Sequence, residues 1–261
     1  MLKINLMALA LLTIATSALA QDITVDEIVK RTNHTSYYQG QDGKARVSMT
    51  ITDDQGRTRE REFTILRRNM DTEDKEQRFY VYFHRPADIR EMVFMVWKHV
   101  GADDDRWLYL PALDVVKRIA ASDERTSFVG SHFYYEDVSG RGTDEDDHQL
   151  LETTDDYYVL KNTPKDKESV EFDSFTMWVH KATFIPVKVE YETKGEVYRV
   201  VEALKVEDIQ GHKTVTKSRM KDLKSGGETV LEYATVQYDT EIPEDIFSER
   251  YLRQAPQKYI R

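Results

Sequence analysis

Residues 186–239 read PVKVEYETKGEVYRVVEALKVEDIQGHKTVTKSRMKDLKSGGETVLEYATVQYD. Apolar and polar residues alternate in four runs, which is the period of strands with one buried face. The runs cover residues 186–193, 196–207, 213–223 and 228–239. Turn sequences separate them at Lys194-Gly195, Gln210-Gly211 and Ser225-Gly226-Gly227. Because such short connections join neighbouring antiparallel strands, we predict an antiparallel meander.

The same alternation extends towards the N-terminus. In residues 44–52, Ala45, Val47, Met49 and Ile51 alternate with polar residues, and a turn at 53–56 leads back along 57–67. Further strands are predicted at 77–84, 92–97, 106–111, 115–120, 157–161 and 170–181. We therefore expect a mainly β protein with a single, strongly curved antiparallel sheet of about 11 or 12 strands in one domain, residues 21–261.

Two segments depart from this period. Residues 92–97 are apolar at successive positions, which indicates a strand covered on both faces. Residues 122–149 contain no clean alternation and carry Gly130, Gly140 and Gly142 as possible hinges. This stretch predicts either a short helix or a mobile flap over the sheet.

The N-terminus combines a targeting signal with a helix. Residues 1–20 contain Lys3, an apolar run over residues 4–14 and the small residues Ala18 and Ala20, which together predict a cleaved secretory signal peptide. After it, Thr24 and Glu27 form a capping-box pair, and apolar residues then recur at helical spacing. We expect a periplasmic protein whose mature chain begins at Gln21 with an amphipathic helix.

Composition limits the classes of partner. The chain has no cysteine, so it has neither a disulfide nor the lipid-bearing cysteine of a lipoprotein. Its 47 acidic and 37 basic residues give a formal charge of −10, which argues against nucleic acid as a partner. We predict no nucleic-acid binding.

Catalytic and metal-binding signatures are absent from the sequence. There is no G-x-S-x-G elbow, H-E-x-x-H motif, P-loop or dinucleotide fingerprint, and the seven histidines are scattered. Acidic clusters at 103–105, 144–147 and 155–156 lack the ordered spacing of a calcium loop and suit solvated turns. We therefore expect no enzyme activity, no metal and no cofactor, although 47 acids leave a paired-carboxylate hydrolase as an alternative.

Aromatic residues are numerous for this scaffold, with 15 tyrosines, 10 phenylalanines and 3 tryptophans. One interpretation is an ordinary core packed under the N-terminal helix. The other is that one short helix is too small to cover so many strands, so that part of the concave face is filled either by a ligand or by residues 122–149.

Several motifs are similar to a known family. They are FHRPADIR at 83–90, DRWLYLP at 105–111, KRI at 117–119, FVGS at 128–131 with YED at 135–137, and IPEDIF at 242–247. They resemble the outer membrane lipoprotein-sorting protein family, periplasmic LolA-like carriers often encoded beside RND-type transporters. One departure is Glu91-Met92, where members usually have a glycine after the Pro-x-Asp-x-Arg stretch.

The resemblance implies a LolA/LolB-like half-open β-barrel with a helical lid and a hydrophobic cavity for acyl chains. Its expected partners are the acyl chains of a lipoprotein or lipid, an inner-membrane RND-type transporter or release complex, and an outer-membrane acceptor. An adaptor that docks on the transporter and carries nothing is a second alternative.

We expect the cavity to be lined by residues where the apolar content is greatest. These are Met95, Trp97, Trp107, Tyr109, Phe128 and Phe133. The sequence leaves open which parity of each strand faces inward, because a one-residue shift in register inverts every assignment.

Overall fold

A computed structural model describes residues 23–261 of the protein, so the predicted signal peptide, 1–20, lies outside the described residues. Helix α1 spans Val25–Asn33 and continues into a π-helical turn, His34–Tyr38. The hydroxyl of Thr24 accepts a hydrogen bond from the amide of Glu27 at 3.2 Å, which caps the helix as its sequence predicts.

Within residues 23–261, thirteen strands form one antiparallel sheet. They are β1 (Asp42–Thr52), β2 (Thr58–Asn69), β3 (Glu76–Arg85), β4 (Val93–His99), β5 (Asp105–Leu110), β6 (Val115–Ile119), β7 (Asp146–Thr153), β8 (Tyr157–Pro164), β9 (Ser174–His180), β10 (Pro186–Thr193), β11 (Glu196–Ile209), β12 (His212–Asp222) and β13 (Gly227–Tyr238). Their order in the sheet is β6-β5-β4-β3-β2-β1-β13-β12-β11-β10-β9-β8-β7. The single antiparallel sheet is confirmed, whereas the expected count of about 11 or 12 strands is wrong.

The sheet is built as two meanders that meet at β1 and β13. Met49 pairs with Leu231 across this junction. Strands β6 and β7 each have one neighbouring strand, so the sheet has two edges and is not closed. The extra strand β7 escaped detection because its residues are mostly exposed, and such an edge strand shows no apolar alternation.

Residues 120–145, the crossing segment, carry the chain from β6 to β7. They contain a 3₁₀ turn, Ala121–Asp123, and the short helix α2, Tyr135–Ser139, which is the helical alternative offered by the sequence. Phe128 packs with its ring centroid 5.8 Å from that of Phe83 and 5.5 Å from that of Phe94. The crossing segment therefore covers the β2–β4 part of one sheet face.

Residues 239–261, the C-terminal segment, cover the opposite face of the same strands. They form a 3₁₀ turn, Glu244–Ile246, and two short helices, α3 (Arg250–Arg253) and α4 (Gln257–Ile260). The indole of Trp97 donates a hydrogen bond to the carbonyl of Phe247 at 2.8 Å. The hydroxyl of Tyr80 donates to the backbone carbonyl of Tyr251 at 2.7 Å. Strand β4 is thus covered on both faces, as its sequence predicts.

The turn before β4 contains Glu91-Met92, the dipeptide that stands where members of the similar family usually have a glycine. Glu91 adopts a left-handed backbone conformation with φ of 69°. Its amide donates to the carbonyl of Phe83 at 2.9 Å, which holds the turn. Glycine adopts this conformation without steric cost, so a glycine would suit this position.

Candidate ligand-binding cavity

A cavity of about 430 Å³ lies between the sheet, α1 and the crossing segment. Residues of strands far apart in the sheet order, such as Val81 on β3 and Leu160 on β8, line the same space. The sheet must therefore curve around the cavity, which makes this its concave face. The volume lies within the roughly 300–1,000 Å³ typical of small-molecule sites.

The lining is dominated by aliphatic and aromatic side chains. They are Val29 of α1; Ala45, Met49, Phe63, Ile65, Phe79 and Val81 of β1–β3; Phe128, Phe133 and Val138 of the crossing segment; Leu160, Phe175 and Met177 of β8–β9; and Val189, Val201, Ala203, Met220, Leu231, Tyr233 and Val236 of β10–β13. Such a surface binds apolar groups by removing them from water.

Three tyrosines report the apolar character of this space. Burial raises the pKa of Tyr233 to about 12, and it raises the pKa values of Tyr37 and Tyr191 further. Burial has this effect because a low-dielectric environment disfavours the phenolate. All three hydroxyls stay neutral at physiological pH.

The polar groups at the α2 end of the cavity are already paired with protein partners. Arg141 lies 3.0 Å from a carboxylate oxygen of Asp146, and Asp137 forms an ion pair with Arg199. The Nδ1 atom of His148 lies 2.7 Å from Oδ1 of Asn162. These polar groups therefore already have partners within the protein.

Glu202, the third acid of the lining, is paired in the same way, because Arg219 lies 2.8 Å from its carboxylate. The three lining acids, Asp137, Asp146 and Glu202, therefore each lie against an arginine. Residues 23–261 contain no group of three or more histidine, aspartate or glutamate residues placed to hold a metal ion.

The cavity opens at its other end, beside the π-helical turn. Ser36 of that turn, Lys213 of β12 and Gln237 of β13 line the cavity and are also exposed to solvent. We call this opening, formed by residues 35–36, 39, 43–44, 67, 213–215 and 236–238, the mouth.

Two of the six residues expected to line the cavity do so. Phe128 and Phe133, both on the crossing segment, are buried and face the cavity. Their contact with a ligand stays a prediction. The crossing segment thus fills part of the concave face and also forms one wall of the remaining space.

The other four expected residues lie on the convex face. Met95 and Trp107 are buried under the C-terminal segment, and Trp97 and Tyr109 pack against the same cluster. Their strands carry the opposite parity inward, with Phe94, Val96 and Leu108 in the concave core. The placement expected for Met95, Trp97, Trp107 and Tyr109 is therefore corrected, because apolar content alone does not distinguish the two faces of a doubly covered strand.

Sequence reasoning missed the wall formed by β9–β13. Met177, Val189 and Val201 line the cavity but lie in strands whose apolar content is ordinary. The alternation in residues 186–239 identified which residues share a face. The sequence did not show which part of that face α1 leaves uncovered.

Comparison with known proteins places this geometry among solved structures. A protein-family model with the description "uncharacterized protein" matches residues 75–254 of the chain. No curated protein matches the sequence significantly. Within residues 23–261, no helix is both long and apolar enough to cross a membrane.

Three solved structures share the fold over most of the chain. A DUF1329-family protein from Desulfovibrio piger has 28% identity and a TM-score of 0.79, covering 87% of this chain and 96% of its own. An outer membrane lipoprotein-sorting protein domain, so named, from Vibrio parahaemolyticus has 26% identity and a TM-score of 0.78, covering 87% and 97%. A LolA-superfamily protein from Nitrosomonas europaea, at 23% identity with a TM-score of 0.68 and coverage of 88% and 99%, supports the fold alone.

Proposed function

We propose that this chain, which belongs to the LolA-like family of outer membrane lipoprotein-sorting proteins, is a periplasmic carrier of acyl chains. The observation that carries the proposal is the apolar cavity of about 430 Å³ on the concave face, open at the mouth. The carrier binds a lipid or the lipid-modified end of a lipoprotein there and releases it unchanged.

The size of the hydrophobic effect determines how the cargo must be handled. Burying a chain of about 16 methylenes, at roughly 0.8 kcal/mol each, is worth on the order of 12 kcal/mol. Release of the chain into water would therefore be very slow. The cargo has to pass directly from a donor to the carrier and from the carrier to an acceptor.

We assign the donor to inner-membrane machinery, an RND-type transporter or a release complex, and the acceptor to the outer membrane. The mouth suits such a transfer because the π-helical turn that continues α1 forms one side of it. Helix α1 itself rests on the sheet through an apolar cluster in which Ile28 packs with Leu160 and Val179. Displacement of α1 from this cluster would widen the cavity without breaking the pairing of the strands.

The experiment that tests the carrier proposal is mass spectrometry of lipid extracted from the protein purified from its own periplasm. We expect acyl-containing lipid or an acylated peptide in stoichiometric amount. A matched sample of the Met177→Glu variant, which places a carboxylate in the cavity wall, should carry much less.

The other outcomes separate the alternatives. Protein that carries no acyl compound would contradict the carrier proposal and favour the adaptor. Extracted glycan fragments or free hydrolysis products in place of intact lipid would favour a hydrolase.

A further inference from the structure

The charged residues lining the cavity are unequally paired. Two cationic side chains there have acidic partners: Arg141 contacts Asp146, and Lys213 lies 2.8 Å from Asp208. Arg67 and Lys44 also line the cavity, but neither has a carboxylate oxygen of residues 23–261 within 4.0 Å. The lining acids each lie against an arginine, so Arg67 and Lys44 are the lining cations without a carboxylate in direct contact. The carboxylates of Asp42 and Asp239, outside the lining, act on Arg67 only from a greater distance.

Arg67 stands at the mouth on the concave face. Its side chain shares the β2 parity of Phe63 and Ile65, which form the apolar wall deeper inside. Across the sheet it is paired with Gly43, which has no side chain to cover it. An acyl chain lying along Ile65 and Phe63 would thus end beside this guanidinium.

The guanidinium of Arg67 is held in place by contacts that do not occupy all of its hydrogen-bond donors. It donates to the carbonyl of Gln39, lies 3.4 Å from Oδ1 of Asn69, and sits 5.4 Å from the ring centroid of Tyr238. A guanidinium has five N–H donors in a planar fork that matches carboxylate and phosphate oxygens. These contacts leave donors available to a ligand that enters the mouth.

We propose that Arg67 binds the anionic headgroup, a carboxylate or phosphate, of the acyl cargo at the mouth of the cavity. The inference rests on the proposed carrier function and adds the class of cargo. It also explains how a chain with a net charge of −10 can hold an anionic lipid, because the attraction comes from one local guanidinium and not from the overall field.

Three ligands with one alkyl chain test this assignment by displacement of a neutral fluorescent probe from the cavity. They are hexadecanoate, hexadecyl phosphate and methyl hexadecanoate. In the wild-type protein we expect at least one anionic ligand to bind roughly tenfold or more tightly than the ester, as a charge-assisted hydrogen bond predicts. The preferred anion distinguishes a carboxylate cargo from a phosphate cargo.

Arg67→Met should abolish this preference while leaving the affinity for methyl hexadecanoate within about threefold of wild type, because the variant keeps an apolar stem. Arg67→Lys should retain part of the preference. Lys213→Met removes a cation that is already paired at the same mouth, and it should change the preference by less than about twofold.

Each result decides between the proposals. Equal wild-type affinity for the anions and the ester would overturn the headgroup assignment but leave the carrier function standing. Failure of all three ligands to displace the probe would contradict the carrier function itself. If Arg67→Met weakened all ligands equally, Arg67 would only tie β2 to the π-helical turn. If Arg67→Met does not fold, Arg67→Lys carries the assignment to Arg67, and equal wild-type affinities would still overturn it.

Discussion

The ring centroid of Phe128 on the crossing segment lies 5.5 Å from that of Phe94 on β4, with an angle of 62° between the ring planes. This contact places the crossing segment inside the concave face, over β2–β4. It divides that face into a filled part and the remaining cavity, which is walled by β1–β3, β8–β13, α1 and the crossing segment.

Replacing Phe128 by alanine should destabilise the protein by about 3–5 kcal/mol, because a fully buried ring is lost and a cavity remains. Urea unfolding followed by circular dichroism measures this change. The control is Leu113→Ala, at a side chain that is 70% exposed, where less than about 0.5 kcal/mol is expected. An equal, small effect of both substitutions would contradict the packing of the crossing segment into the core.

Lys98 holds the crossing segment from the sheet side. Its ammonium donates to the carbonyls of Ser139 and Gly140, each at 2.7 Å, at the end of α2. Burial lowers the pKa of Lys98 to about 8, despite the nearby carboxylate of Asp104. In the unfolded chain, the pKa returns to the ordinary value of 10.5.

This shift predicts a pH dependence of stability with a definite sign. Between pH 8 and 10.5, the unfolded chain holds a proton on Lys98 that the folded protein has lost, so the free energy of unfolding should rise with pH. Between pH 8 and 10.5, the free energy of unfolding of the wild-type protein should rise by on the order of 1–3 kcal/mol more than that of the Lys98→Met variant. Taking the difference between the two proteins removes the contribution of tyrosine ionisation, which both share. A constant or falling difference between pH 8 and 10 would show that Lys98 is not held in the buried state described.

The crossing segment should be more mobile than the meander. Residues 120–145 contain only short helical turns, so their amides should exchange with deuterium faster than those of residues 186–239. Because Phe128 and Phe133 line the cavity, bound ligand should slow this exchange. Hydrogen-exchange mass spectrometry with and without hexadecanoate provides the measurement. Equal protection of both regions in the free protein would exclude a mobile crossing segment.

Most of the sheet was predictable because alternation and turn residues are local signals. Residues 44–52 and 186–239 show both, and they form β1 and β10–β13 close to the expected bounds. The edge strand β7 was not predictable in this way, since only one side of it packs and its residues are mostly exposed.

Predicting which side chains of β4 and β5 face the cavity would have required knowledge of where the C-terminal segment packs. Leu252 and Ile260 of this segment are buried against the convex face beside Trp107. The side chains of Met95, Trp97, Trp107 and Tyr109 join this cluster and point away from the cavity. No local pattern in residues 93–110 shows that a segment about 150 residues later covers them.

The central claim, that the concave face binds the acyl chain, is tested most directly by two glutamates on one strand. Met177 lines the cavity, whereas the adjacent Trp178 lies on the opposite face beneath Lys188, whose ammonium is 4.7 Å from its ring centroid. Titration of a fluorescent fatty-acid analogue should show at least roughly tenfold weaker binding by Met177→Glu, because a carboxylate in an apolar wall is costly to desolvate. Trp178→Glu should bind within about twofold of wild type, with circular dichroism showing that both variants fold. Equal loss of binding in the two folded variants, or wild-type binding by Met177→Glu, would contradict the account.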